Sequence, residues 1–189
     1  MKIFSVEGDI DNFQIILPVS DSDEIIDILD FDGLPKLDTW KQVQFYIDNP
    51  LKKKSEFFFF ISCSAFASTQ LAVNTFKRFW NICAELLPIY LEDNTQLFIV
   101  NVIDCVNTLD KENSKFDYYL NGEKSNRILE YSFHKSRLHE SSIFKIPETA
   151  PIQILTYSRY GDPDAEFITA YHNSGFKGLD FNLLYEEND

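Results

Sequence analysis

The sequence predicts an α+β domain: a mixed, mainly antiparallel sheet of short strands carrying two principal helices. Three observations predict it. Short β-prone runs recur between turn signals, only two long stretches place apolar residues at helical spacing, and helices do not alternate regularly with strands as an α/β fold requires. A chain of 189 residues suits a single domain, 1–189, within which residues 1–39 form either a distinct acidic N-terminal element or an edge of the same sheet. At this length folding hides roughly 70% of the surface of the unfolded chain, so neither disulfide nor metal is needed. The 44% hydrophobic and 15% aromatic content excludes a disordered chain.

Ile3, Phe4 and Val6, then Phe13, Ile15 and Leu17, read as two short strands with a turn at Gly8-Asp9 between them. Glu24 to Phe31 predicts a helical turn with Ile25, Ile28 and Leu29 on one face, followed by a loop marked by Gly33, Pro35 and Asp38. Trp40 to Ile47 alternates again, with Val43 and Phe45 on one side, and stops at Asn49-Pro50. The run Phe57-Phe58-Phe59-Phe60-Ile61 has no polar face and reads as a strand buried on both sides. Lys52, Lys53 and Lys54 before it read as gatekeepers against aggregation, with a basic ligand site as the alternative.

The first principal helix is predicted to begin with Ser68 as N-cap. Ala72, Phe76, Phe79, Trp80 and Cys83 then share one helical face, with Asn74, Lys77, Arg78 and Asn81 mostly off it. Pro88 makes Leu86 to Leu91 an edge strand or extended connector. Asn94 marks a turn, Gln96 to Val106 a β-prone strand, and Leu109 to Gly122 a polar, turn-rich stretch. Arg127 to His134 alternates, with Leu129, Tyr131 and Phe133 as the buried set. Ile143 to Ile146 and Ile152 to Tyr157 are further strands. The second principal helix opens with Asp162 as N-cap and Pro163 at its first position. It buries Phe167, Ala170 and Tyr171, and ends at Gly175. Leu179, Phe181 and Leu183 form a closing strand.

The search for chemistry is mostly negative. The sequence has no phosphate-cradling GxxxxGK[ST] loop, no GxGxxG, no GxSxG and no HExxH. Cys63, Cys83 and Cys105 are odd in number and far apart, a poor disulfide or zinc framework, and each reads as a small buried hydrophobe. His134 and His139 occupy a strand end and a loop, which does not align them as ligands. His172 lies near the C-terminus of the second helix, where positive charge is favoured. Asp110 and Glu112 hint at a carboxylate pair, against the alternative of a turn in which Asp110 bonds backbone donors near Asn113 and Ser114. No metal or cofactor is therefore expected. Glu7, Asp9 and Asp11 stand where a signal peptide needs an apolar stretch, and Phe57 to Ile61 is too short to cross a bilayer. The expectation is a cytoplasmic protein with reduced thiols.

Charge is the strongest compositional signal. The formal net charge is −13, and residues 1 to 50 hold eleven acids against three bases. Such a surface repels nucleic acid and anionic membranes and attracts cationic partners. The excess concentrates at Asp21, Asp23, Glu24, Asp27, Asp30, Asp32 and Asp38, opposed only by Lys36. This segment is either a solvated face that keeps the protein in solution or a docking surface for a basic partner. The partner-binding candidates are Asp21, Asp23, Glu24, Asp27, Asp30 and Asp32.

From residue 40 to about 184 the motifs follow a familiar order. Phe57 to Ile61 leads to the first helix, Glu85-Leu86-Leu87-Pro88, Phe98 to Ile103 with Asp104, and Leu109 to Ser114. Ile143-Phe144-Lys145-Ile146-Pro147 follows, then a helix and Ser174-Gly175-Phe176-Lys177-Gly178-Leu179-Asp180-Phe181. This order resembles a family of bacterial immunity proteins from polymorphic toxin systems, the eleventh of its catalogue and formerly a domain of unknown function. The resemblance implies an inhibitor made by a toxin-producing cell that binds and neutralises its own toxin; it carries over no catalytic residue. Members place a serine-led helix directly after a short apolar strand, whereas here Arg159-Tyr160-Gly161 intervene between Tyr157-Ser158 and Asp162. The leading expectation is thus an immunity protein whose partner is a cognate, basic toxin. The alternatives are an enzyme with a carboxylate-based site and an oligomeric scaffold protein.

Overall fold

The computed structural model describes residues 1–60, 64–138 and 140–187. Along the chain run β1 (Lys2–Gly8), β2 (Ile16–Pro18), α1 (Asp23–Ile28), β3 (Gln44–Ile47), β4 (Phe57–Phe58), β5 (Phe66–Ser68), α2 (Gln70–Thr75), α3 (Lys77–Cys83) and β6 (Ala84–Leu91). They are followed by β7 (Gln96–Val102), β8 (Lys115–Tyr118), β9 (Lys124–Glu130), β10 (Ile143–Phe144), β11 (Ile154–Ser158), α4 (Phe167–Ser174) and β12 (Leu179–Glu186). The fold is α+β. Among the described residues, every strand pair is antiparallel except β3 with β6.

Two sheets and a hairpin organise the chain. One sheet has six strands in the order β2-β3-β6-β7-β5-β4, the other four in the order β10-β11-β1-β12, and β8 pairs with β9 alone. Alternation along the strands divides the apolar side chains into three cores. Val100 and Val102 of β7, Val6 of β1 and Ile154 of β11 face a central core filled by Phe76, Phe79, Trp80, Phe167 and Tyr171 from the helices. Ile99 and Leu97 face the opposite way, into a second core with Phe45, Phe60, Leu29 and Phe31. Ile3, Leu155 and Phe144 face a third, covered by Ile128 and Phe133. Each sheet is therefore buried on both faces: α2, α3 and α4 lie between the sheets, α1 and its loop cover one flank, and the hairpin covers the other.

The two sheets touch where glycine removes the side chain. A Cβ at Gly8 would fall 2.3 Å from the Phe59 Cβ, and one at Gly178 only 2.0 Å from the Phe57 carbonyl oxygen. The backbone adds Asp9 N–H to Gly178 O at 3.0 Å and Phe57 N–H to Lys177 O at 3.2 Å. Phe57 is thereby buried in the central core while Phe58 and Phe60 enter the second, which is the two-sided burial expected of this run. Ile61, Cys63 and His139 lie outside the described residues.

Several local expectations are corrected. The two N-terminal strands are found, but the turn between β1 and β2 carries the chain from one sheet to the other. The first helix is capped by Thr69, whose hydroxyl accepts from Ala72 N–H at 3.3 Å, because Ser68 is still paired in β5. It also breaks at Phe76 (φ −102°, ψ 15°) into α2 and α3, although the predicted stripe stays buried throughout. β6 is a central strand. It tolerates Pro88 because β3 reaches only Tyr90 and Leu91, and the Trp40 indole donates to the Pro88 carbonyl at 3.0 Å on that open side. Lys115 to Tyr118, read as a polar loop, forms β8. Of the set expected to be buried, Leu129 is 53% exposed and Ile128 is buried instead, since β9 ends at Glu130 and Phe133 takes its facing from a separate bridge to Leu109. α4 starts at Phe167 rather than Pro163. The carboxylate of Glu166 turns back to collect the N–H groups of Arg159, Tyr160 and Gly161 and the hydroxyls of Ser158 and Thr169 at 2.6 to 3.1 Å. Leu183 is exposed, and Cys105 is exposed while Cys83 is buried.

Candidate protein-interaction surface

The acidic segment folds into α1 and the loop after it. Asp23 and Glu24 occupy the first turn, where carboxylates suit the helix dipole, and the amides of Ile25 and Ile26 bond the Ser22 carbonyl. Leu29 is buried and Ile25 and Ile28 pack partly into the second core, which turns the acids outward. Lys36, the lone base of the segment, does not neutralise a carboxylate. Its ammonium donates to the carbonyls of Asp27 and Ile28 at 3.1 Å, capping the helix C-terminus, and sits 5.4 Å from the centre of the Phe31 ring.

The six candidate acids therefore have different surroundings. Asp21, Asp23 and Asp27 are exposed, and among the described residues no ion pair engages them. Glu24 is exposed but paired with Lys41 at 2.7 Å, and that hydrogen bond holds its carboxyl below the usual range. Asp32 is half-buried and accepts the Leu34 N–H at 3.1 Å. Asp30 is exposed, and like Asp32 it lends its field to a lysine beneath the loop.

That lysine is Lys145, 0% exposed, with its ammonium on the Phe31 carbonyl at 2.7 Å. Burial pushes its pKa down to about 8, against the opposing pull of Asp32, Cys105 and Asp30. A second anchor lies one turn further on. The Glu85 carboxylate accepts the backbone N–H groups of Lys36 at 2.7 Å and Leu37 at 3.3 Å, and the buried Asn101 amide donates to Glu85 and to the Leu34 carbonyl. Sequence reading missed all three supports. The signals were an Asn inside the apolar strand Phe98 to Val102 and a Lys inside Ile143-Phe144-Lys145-Ile146.

A groove of about 420 Å³ opens beside α1. Pro18, Ile25, Leu29 and Phe60 line it with apolar surface, and Asp21, Asp27 and Asp30 stand around it with Ser20. A second groove, of about 510 Å³, is bounded by Glu24, Asp27, Ile28, Lys36, Thr39 and Trp40.

Elsewhere polar groups are engaged locally. Asp110 forms the expected turn, accepting the N–H groups of Glu112 and Asn113 at 3.1 Å and the Asn113 amide at 2.7 Å, which lowers its pKa. His134 lies 4.0 Å from Asp110, and His172 on α4 rests against Phe181 with ring centres 5.4 Å apart. Among the described residues no group of three His, Cys, Asp or Glu side chains is placed to hold a metal. Among the described residues no helix is long and apolar enough to cross a membrane. No family model matches the chain, and no curated protein matches it.

Proposed function

We propose that this protein is an immunity protein that binds and neutralises a cognate bacterial toxin by direct contact, in the cytoplasm of the cell that makes both. The observation that carries the reading is the acidic surface at α1: the carboxylates of Asp21, Asp23 and Asp27 face solvent and, among the described residues, none is in an ion pair, while the loop after α1 is held from beneath by Lys145, Glu85 and Asn101. Its resemblance in motif order to immunity proteins points the same way. A carboxylate face of this kind accelerates encounter with a basic protein and rejects acidic ones.

The experiment is co-expression with the product of the adjacent reading frame. Cells killed by that product alone survive when this chain is present, and the purified pair co-elutes from a sizing column. Equal killing with and without this chain would remove the immunity reading.

A further inference from the structure

We infer that the groove between α1 and Phe60 receives an apolar side chain of the partner, flanked by arginine or lysine residues of the same short segment. The groove carries this inference, and the acids around it select the occupant. Its volume of about 420 Å³ falls within the roughly 300–1,000 Å³ typical of ligand sites. Its floor is built from Ile25, Leu29, Phe60 and Pro18, none of which can bond a polar ligand through its side chain. Ile26, on the same wall, is 58% exposed. An amphipathic surface helix ordinarily turns such a residue inward, so this one leaves apolar surface in water that a partner's side chain would cover.

Charge decides what can approach that floor. Asp21, Asp27 and Asp30 border the groove, and among the described residues neither lysine nor arginine lines it. An acidic segment, a nucleic acid or an anionic membrane is repelled there. A purely cationic segment satisfies the acids but leaves the floor wet. Only a segment that is both basic and apolar satisfies both parts, and arginine suits it best because its planar guanidinium binds a carboxylate through two parallel hydrogen bonds. Asp27, in the last turn of α1, and Asp30, just past its end, border the same groove, so cations on either side of a single apolar anchor reach them together.

For the identity of the partner this inference rests on the immunity reading; for the chemistry of the groove it does not. It is tested on the intact protein with a short synthetic peptide alternating arginine and leucine, followed by amide chemical shifts. An oligoarginine of equal charge and a glutamate–leucine peptide serve as controls. The arginine–leucine peptide is expected to move the amides of Ile25, Ile26, Leu29 and Phe60. Its affinity should fall at least about tenfold in Ile26→Lys and in Asp21→Lys, both exposed positions whose thermal unfolding should match the native protein. Equal shifts with oligoarginine, or shifts confined to other surfaces, would overturn the inference. With the toxin in hand the two readings separate. Undiminished neutralisation by both variants removes the groove and leaves the immunity function, whereas a toxin untouched by the native protein removes the function and leaves the peptide result standing.

Discussion

The ammonium group of Lys145 lies under the acidic loop rather than on it, and its position has a measurable signature. Burial holds its pKa near 8, below the ordinary lysine value, so between about pH 8 and pH 10.5 the unfolded chain binds more protons than the folded one. The penalty for burying the charge is present below pH 8 and is relieved as pH rises. Relative to Lys145→Met, the native protein should therefore gain about 2 kcal/mol of stability between pH 7 and pH 10, read from urea unfolding at each pH. Parallel pH profiles would show that the ammonium is not desolvated. The same geometry divides the acids. Reversing Asp30 or Asp32 removes a charge that helps hold Lys145 ionised, so Asp21, Asp23 and Asp27 are the cleaner positions at which to test the proposed partner surface. The sequence offered one signal of this, a lysine inside an otherwise apolar run, and nothing of its partner. A lysine between Phe144 and Ile146 reads as the outward residue of an alternating strand, and only the return of the Phe31 carbonyl from more than a hundred residues away gives it an inward partner.

At the scale of elements, periodicity found the apolar stripes and missed their punctuation. Ala72, Phe76, Phe79, Trp80 and Cys83 are buried as expected, yet the helix bends at Phe76, where the ring packs against Phe57, Trp80, Phe167 and Phe176 at 5.4 to 6.0 Å. Tertiary packing outweighs helix continuity there. Phe167 lies at the middle of the same aromatic group, and its truncation to alanine should destabilise the protein by about 3–5 kcal/mol, measured by urea unfolding. The start of α4 could not be read because Asp162-Pro163 is a strong local signal. The competing cap, Glu166, depends on Arg159, Tyr160 and Gly161 folding back upon it. Burial alone would raise the Glu166 pKa, but those N–H groups and the Ser158 and Thr169 hydroxyls bring it below the ordinary range. The junction at Gly178 is the sharpest case. With φ at +108° and the Phe57 carbonyl in the place of a Cβ, Gly178→Ala should cost at least about 2–3 kcal/mol, visible as a lower thermal midpoint. A neutral substitution would mean that the two sheets can separate at this point.

For the whole molecule, charge and topology act at different distances. The net charge of −13 predicts that association with the proposed cationic partner is steered: its rate constant should fall several-fold or more between low and physiological salt, with a shallower dependence in an Asp21→Lys and Asp27→Lys double variant. A salt-independent rate in stopped-flow measurements would argue for an apolar encounter alone. The α+β class was legible because short strands and two apolar stripes survive in composition and spacing. The division into two sheets was not, since two short strands and a turn do not reveal their partners, which lie far along the chain. Those partners set a timetable for biosynthesis. β1 is flanked by β11 and β12, so its first residues pair with Ser158 and Glu186. At roughly 5–20 residues per second of translation, β1 leaves the ribosome on the order of ten seconds or more before either neighbour exists. The six-stranded sheet, drawn from Ile16 to Val102, is complete in the nascent chain well before that. A ribosome stalled between these points would display a completed six-stranded sheet with part of its central core still missing and β1 unpaired, a client for a holding chaperone.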